Sequence, residues 1–318
     1  MLRIGNLTLQ SSLILAPLAG ISDLPFRMLN RSFGCELAFI EMLNVRSVSF
    51  KSKKTQQMMS SAPGDRPLGV QILGCEQKYI EKALHALQHF AFDVLDFNAA
   101  CPVKKVTRRG EGASLLKYPE KLHTLLRLVV DSVRVPVTVK MRIGWDATSV
   151  NAREVARAAQ EAGVSAIFVH GRTKTQGYSG QVDYRRIREV KQEVSVPVIG
   201  SGDVLNGALA KRMIEETGCD GLVIARGALG NPWIIDEIAQ TLKNKKPFIR
   251  PEKSAIIDTM QRHFNMCVDF YGEKNGVIIF RKFFAWYTRG FRKIRPARER
   301  VSRVKAKQDM LAIMESCR

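Results

Sequence analysis

Cysteine is scarce in this 318-residue chain and widely spaced, at positions 35, 75, 101, 219, 267 and 317. No Cys-x-x-Cys pair occurs, which argues against a zinc clamp and against a disulfide framework. No apolar run approaches the ~18 residues that a membrane span needs. Met1 to Gln10 lacks the basic, apolar and small-residue succession of a secretory leader. A Gly-x-Gly-x-x-Gly turn after the first strand is missing, which weakens a dinucleotide-binding fold, and no phosphate-loop Lys motif is present. His85 and His89 have the i, i+4 spacing a metal site uses. With no third ligand in view, they read as two polar positions on an amphipathic helix. Negative charge is also in short supply. Thirty Asp+Glu face fifty Lys+Arg, a formal net charge of +20. Such a balance points to a polyanionic partner, and nucleic acid and an anionic membrane surface both qualify. The expectation is a soluble, cytoplasmic protein that binds neither metal nor membrane and acts as a monomer.

What the chain has in abundance is alternation. Eight β-like runs recur at fairly even intervals: Leu13–Leu18, Glu36–Met42, Pro67–Leu73, Asp93–Asn98, Pro136–Arg142, Ser165–His170, Val196–Ser201 and Asp220–Arg226. Most are unbroken and rich in Val, Ile, Leu or Phe, as strands covered on both faces of a parallel sheet are. Helical spacing falls between several of them. Ile80, Ala83, Leu84 and Leu87 share one face, as do Leu122, Leu125, Leu126, Val129, Val130 and Val133. Eight such units favour a closed (β/α)8 TIM barrel over an open doubly wound sheet, and the length fits roughly 250 residues of barrel plus an appendage. The strand signal stops near Lys243. Asn244–Pro251 reads as a linker, so residues 1–243 are expected to form the barrel and 244–318 a small all-helical domain. Residues 241–318 hold 19 Lys+Arg against 7 Asp+Glu, so +12 of the net charge sits there.

Barrels place their chemistry at the C-terminal ends of the strands. Each predicted strand ends in polar or special residues. The first ends Ala16-Pro17-Leu18-Ala19-Gly20, the second offers Glu41, the third Gln71, and the fourth Asn98 and Cys101. Lys140 and Arg142 end the fifth, and His170 and Arg172 the sixth. Ser201-Gly202-Asp203 ends the seventh and Ala225-Arg226-Gly227 the eighth. Loops after strands seven and eight often bind phosphate through backbone N–H groups. Gly202 and Gly227 would let the backbone approach one and Arg226 would add charge; ordinary turn glycines are the alternative. A cysteine just past a barrel strand faces the pocket and, as a thiol, can donate a proton. Lys104 and Lys105 would shift it toward thiolate. Lys140 or Arg142 could stabilise charge on a carbonyl oxygen; a structural salt bridge is the alternative for Arg142.

Several runs together resemble the bacterial tRNA-dihydrouridine synthases, the B-type subgroup above all. They are Ala16-Pro17-Leu18-Ala19-Gly20-Ile21-Ser22-Asp23, Gln71-Ile72, Asp96-Phe97-Asn98-Ala99-Ala100-Cys101-Pro102-Val103-Lys104-Lys105-Val106, Val139-Lys140-Met141-Arg142-Ile143-Gly144-Trp145, His170-Gly171-Arg172-Thr173, Ser201-Gly202-Asp203 and Ala225-Arg226-Gly227-Ala228. The resemblance implies FMN in the barrel mouth, NADPH (or NADH) as reductant, and reduction of the C5–C6 double bond of selected uridines in tRNA. It implies that Pro17, Leu18, Ala19 and Gln71 hold the flavin ring, with Lys140 near the ring or ribityl chain and His170 close by. Ser201, Gly202, Asp203, Ala225 and Arg226 would take the ribityl and phosphate end. Cys101 would protonate C5 while hydride reaches C6, and Asn98 and Arg142 would position the uracil. Ala100 and Ala225 depart from the glycine usual at both places; the methyl group would alter a turn that requires positive φ.

In the tail, residues 280–307 interleave Phe280, Phe283, Phe284, Trp286, Tyr287 and Phe291 with eleven Lys or Arg. The aromatics read as core and the cations, Arg292, Lys293 and Arg295 among them, as a face that tracks phosphates. Two other functions remain open from the sequence. One is an FMN barrel reductase of a small pyrimidine or enone. The other is a non-catalytic tRNA-binding protein.

Overall fold

The computed structural model describes residues 1–50, 52–243 and 248–318. It opens with an antiparallel hairpin, β1 (Leu2–Ile4) and β2 (Leu7–Leu9). Barrel strands follow: β3 (Leu13–Leu15), β4 (Leu37–Phe39), β6 (Leu68–Leu73), β7 (Val94–Ala99), β8 (Val137–Arg142), β9 (Ala166–His170), β10 (Val198–Ser201) and β11 (Gly221–Ile224), with the short β5 (Leu43–Asn44) alongside β6. All neighbours in the ring are parallel. β11 pairs with β3 at Leu222–Leu13 and β4 with β6 at Ala38–Leu68, so the eight strands close.

The expected strands are therefore all present, several of them shorter than their apolar runs. β3 stops at Leu15 rather than Leu18 and β4 at Phe39 rather than Met42, because the chain turns there to form the mouth. The hairpin was not expected. Its Leu2, Ile4 and Leu9 plug the barrel and pack with Ile14, Phe39, Val94, Phe168, Ile199 and Val223. Phe39 meets Phe168 edge-on at 6.0 Å. Gly69 makes room for that ring: a Cβ there would lie 2.3 Å from Phe39.

Around the barrel lie α1 (Leu24–Arg31), α2 (Val45–Ser49), α3 (Lys53–Met58), α4 (Gln77–Leu87), α5 (Lys104–Thr107), α6 (Pro119–Ser132), α7 (Ala152–Glu161), α8 (Tyr184–Glu193), α9 (Gly207–Thr217) and α10 (Ile234–Leu242). The faces expected on α4 and α6 are the buried ones; Val130 and Val133 are only partly covered. Helix α1 starts at Asp23, whose carboxylate accepts the Phe26 N–H, and Pro25 occupies its first turn. It carries Arg27, which with Arg31 surrounds the buried Asp65.

Of the expected linker, residues 244–247 lie outside the described residues, and 248–252 form no regular element. Four helices then close the chain: α11 (Lys253–Tyr271), α12 (Glu273–Tyr287), α13 (Arg295–Val301) and α14 (Lys307–Glu315). Most of the aromatics expected as core are buried, and Trp286 and Phe291 are partly covered against them. Phe280, Phe283, Phe284 and Tyr287 are buried, and three of them, Phe280, Phe283 and Tyr287, surround His263, whose Nδ1 lies 3.2 Å from the Tyr287 hydroxyl. This core joins the barrel through α1, where Phe26 stacks on Phe283 at 6.0 Å. The Tyr271 hydroxyl donates to Asp23 at 2.9 Å, and Lys282 donates to the Gly20 carbonyl. No helix among the described residues is long and apolar enough to cross a membrane.

Candidate active site

The strand ends converge on a cavity of about 330 Å³ at the C-terminal mouth. Pro17, Leu18 and Ala19 form one wall. Gln71, Asn98, Cys101, Lys140, Arg142 and His170 come from the middle of the ring. Ser201, Gly202, Asp203, Ala225 and Arg226 come from its last two strands. Fourteen of the seventeen residues singled out from sequence thus share one space. Arg292, Lys293 and Arg295 do not: they are exposed between α12 and the start of α13. Met42, Tyr178, Val204 and Leu205 also line the cavity and were missed. Tyr178 stands in a loop well past β9, where no periodicity marks it; its only signal is an aromatic in the polar Gln176–Gly180 turn. A broader depression of about 760 Å³ lies on the barrel flank between α3 and α4, away from the strand ends. His85 and His89 line it, and no group of three His, Cys, Asp or Glu able to hold a metal occurs among the described residues.

A hydrogen-bond relay rises through the floor of the mouth. Asp96, wholly buried on β7, accepts Thr138 Oγ1 and Gln71 Nε2, each at 2.7 Å. Gln71 Oε1 then accepts Asn98 Nδ2 at 2.7 Å. Asn98 Oδ1 accepts the backbone N–H groups of Ala100 at 3.0 Å and Cys101 at 2.9 Å. The buried carboxylate, which can only accept when ionised, thereby fixes which way both amides point. The relay holds the turn that presents Cys101. Arg142 braces the same turn: its Nε donates to the Ala100 carbonyl, and its Nη1 to the carbonyls of Thr173 and Gly177, each at 2.8 Å. No carboxylate among the described residues lies within ion-pair distance of it, so the salt-bridge reading of Arg142 is replaced by a clamp on three carbonyls. Ala100 fits because its φ is not positive; among non-glycine residues described, only Asp203 and Lys293 have positive φ. Ala225, at φ −118°, fits as well.

Burial raises the Cys101 thiol above its ordinary value, with the nearby Val103 N–H and Arg142 opposing. Lys104 and Lys105 face solvent and are not among the groups that shift it, so the group stays a protonated thiol at neutral pH, as a proton donor must be. Lys140 donates to Ser201 Oγ at 3.1 Å. Burial lowers its ammonium and Asp96 opposes that shift. Burial, then Lys140, Arg142, Arg172 and Arg226, pull His170 down to about 2, so its ring is neutral. Its Nε2 is buried and has no partner among the described residues.

At the far end Asp203 accepts from Arg172 and, at 2.5 Å, from Arg226, which lowers its carboxyl, Arg172 contributing most. The cluster retains one net positive charge. Gly202 adopts φ +126°, a left-handed value that favours glycine. Gly227 has a different reason from the one expected. A Cβ there would lie 2.3 Å from the Val204 carbonyl, so the residue lets two loops pack against each other. Glu41 turns away from the cavity and accepts the Gly20 N–H.

The dihydrouridine synthase family model matches residues 14–317. The chain belongs to the dihydrouridine synthase family. Among relatives, the probable tRNA-dihydrouridine synthase of Rickettsia conorii is 38% identical over 291 residues, which cover 91% of this chain and 88% of that one. The tRNA-dihydrouridine synthase B of Vibrio vulnificus is 38% identical over 286 residues, 90% and 89% of the two chains. Among solved structures, histamine dehydrogenase from Rhizobium sp. 4-9 shares the fold at TM-score 0.57 and 12% identity, over 83% of this chain and 50% of that one. The dihydrouridine synthase family match spans β3 to α14 and so takes in both the barrel and the helices behind it.

Proposed function

We propose that this protein is a cytoplasmic, monomeric tRNA-dihydrouridine synthase of the B type, which reduces the C5–C6 double bond of specific uridines with NADPH as reductant and FMN as cofactor. The observation that carries the reading is the convergence of Cys101, Asn98, Lys140, Arg142 and His170 on one cavity with the glycine-rich ends of β10 and β11. The cavity's residues fit FMN. Pro17 to Ala19 offer an apolar wall, and Gln71 keeps one N–H beyond the bond to Asp96. His170 Nε2 is an orphaned buried polar atom, and Ser201, the 202–203 turn and Arg226 supply hydroxyl, backbone and charge for a ribityl phosphate. The volume falls in the range of about 300–1,000 Å³ usual for cofactor pockets. The bound flavin supplies hydride at C6.

Every other step falls to the protein. Cys101, kept protonated by burial, gives its proton to C5, so that hydride and proton together saturate the bond. Asn98 and Arg142 hold the uracil beside it, and the Lys140 ammonium stabilises negative charge that grows on a uracil carbonyl oxygen. Residues 1–243 form the catalytic unit in this reading. Residues 244–318, with Arg292, Lys293 and Arg295, form the tRNA-binding one. The test is purified protein with unmodified transcribed tRNA and NADPH, reading dihydrouridine position by position. Wild type forms it at defined positions and Cys101→Ala does not, while keeping its flavin. Turnover of free uridine as fast as tRNA would instead favour a small-substrate reductase, and a protein that takes up no flavin would favour a non-catalytic binder.

A further inference from the structure

The mouth of the barrel has two sides. The helices α11 and α12 pack on the side of β3 and β11. Tyr271 and Lys282 reach Asp23 and Gly20, and Gly230 approaches the backbone of Trp286 and Tyr287 so closely that a Cβ would lie 2.4 Å from both. In the strand ring, β7 and β8 stand farthest from that side. The loops beyond β7 and β9 carry a separate cationic sector, and the β8 loop between them adds Trp145 and one acid, Asp146, whose carboxylate accepts from Thr148 and Ser149. Between Cys101 and Tyr118 the chain has Lys104, Lys105, Arg108, Arg109 and Lys117, all exposed. The one acid in that stretch, Glu111, is 3% exposed and turned inward to Asn44. Lys174, beyond β9, joins them: its ammonium and that of Lys117 lie 4.3 Å and 3.7 Å from the centre of the Trp145 ring. None of the six makes an ion pair among the described residues. On the barrel flanks, by contrast, Arg153 and Arg157 share Glu193, Lys191 meets Asp220, and Arg212 meets Glu216.

Like charges left together without counter-ions repel and cost stability, so a solvated face gains nothing from this arrangement. A polyanion removes the cost. Exposed Val103 (53%) and Tyr118 (61%) flank the cations of this stretch, the mixture of apolar surface and charge that suits an RNA strand. We propose that the rim above β7–β9 is a second RNA-gripping surface. It binds the phosphates flanking the reacting nucleotide on the Cys101 side of the mouth, opposite the helical tail. The proposal rests on the tRNA reading above and places part of the binding on the barrel itself.

The test compares Lys104→Glu/Lys105→Glu and Arg108→Glu/Arg109→Glu with wild type, using unmodified transcribed tRNA over a salt series. The rim variants should bind about tenfold or more weakly at moderate salt, and the slope of log K against log salt should fall by about one for each phosphate no longer neutralised. Flavin content and RNA-independent NADPH oxidation should not change. If charge reversal disturbs the Cys101 turn and flavin is lost, Arg108→Gln/Arg109→Gln and Lys117→Gln/Lys174→Gln carry the same comparison with smaller effects. Wild type that binds tRNA beside neutral rim variants of equal affinity and equal salt slope overturns the rim surface alone. Wild type without affinity for tRNA overturns both this surface and the proposed function.

Discussion

Asp96 touches nothing in the cavity directly, yet two of its variants separate charge from geometry at the active site. In Asp96→Asn the new Oδ1 can still accept Gln71 Nε2. The new Nδ2 can donate to the Thr138 hydroxyl, which accepts as readily as it donates. The relay to Asn98 and Cys101 survives, and what disappears is the negative charge that opposes the fall in the Lys140 pKa. Asp96 and Lys140 stand on adjacent strands two residues off register, since Asp96 pairs with Thr138 and Asn98 with Lys140. With strands ~4.8 Å apart and a rise of ~3.3 Å per residue, such neighbours lie ~8 Å apart. Two unit charges at that distance and an effective dielectric of ~20 interact by roughly 2 kcal/mol. That energy corresponds to about one to two pH units.

The sign follows from the chemistry. An ammonium is charged below its pKa, so activity that needs it is present at low pH and lost as pH rises. Removing Asp96 lowers the Lys140 pKa further, and the alkaline limb of kcat against pH moves to lower pH by about one to two units. Cys101 does not mask this limb, because burial raises its thiol and lowers the Lys140 ammonium, which moves the two titrations apart. Asp96→Ala is expected to behave differently. It orphans Gln71 Nε2 at a cost of about 1–3 kcal/mol, frees Asn98 to turn, and lowers kcat at every pH, up to about a hundredfold for a displacement near 1 Å. The assay is dihydrouridine formation at saturating tRNA across the neutral to alkaline range, with flavin content measured in each sample. An Asp96→Asn limb that coincides with wild type, or that moves to higher pH, refutes the reasoning.

Three further outcomes follow from other parts of the molecule. Gly69→Ala sets a methyl group against the Phe39 ring and should destabilise by about 1–3 kcal/mol in urea unfolding, with Phe39→Leu in the same chain recovering part of the loss; additive losses would show that the ring is not the obstacle. Asp65→Asn leaves Arg27 and Arg31 without their buried counter-charge and should cost about 3–5 kcal/mol, and a stability within error of wild type would mean that water reaches the pair. Replacing Arg292, Lys293 and Arg295 by Glu should weaken tRNA binding and leave flavin content intact, and unchanged affinity at moderate salt removes the tail from the RNA interface.

The barrel was legible because parallel strands buried on both faces leave unbroken apolar runs, and Val137–Arg142 and Ala166–His170 appear almost to the residue. The runs misled where apolar residues continue past the strand. Pro17 and Leu18 after β3, and Met42 after β4, are apolar because they line the mouth, so hydrophobicity alone could not end those strands. The plug was missed because each of its strands has three residues. Leu2, Ile4, Leu7 and Leu9 nonetheless alternate about Gly5-Asn6, a two-residue turn signal. Most cavity residues were legible for a geometric reason: a closed barrel brings all its strand ends to one place. Asp96 was not singled out because it lies within a strand, and its effect passes through Gln71 and Asn98. That relay depends on which residues stand side by side on β6 and β7, and register is not written in either strand alone.

Positive charge stands on both sides of the mouth. The tail carries +12, and reading composition alone places the RNA there. A uridine turned out of its stack costs a few kcal/mol, and a strand held on one side of the mouth can swing away without surrendering the base. Cations over β7–β9, across the ring from the tail, would hold the strand on both sides and direct that energy to the single nucleotide over Cys101. The two surfaces then act on separate phosphates. Combining a rim variant with the tail variant should multiply their separate losses of affinity, as independent sites do, and raise KM more than it lowers kcat. Losses that saturate at the larger of the two would mean that rim and tail grip the same stretch of RNA, and that the mouth is approached from one side only.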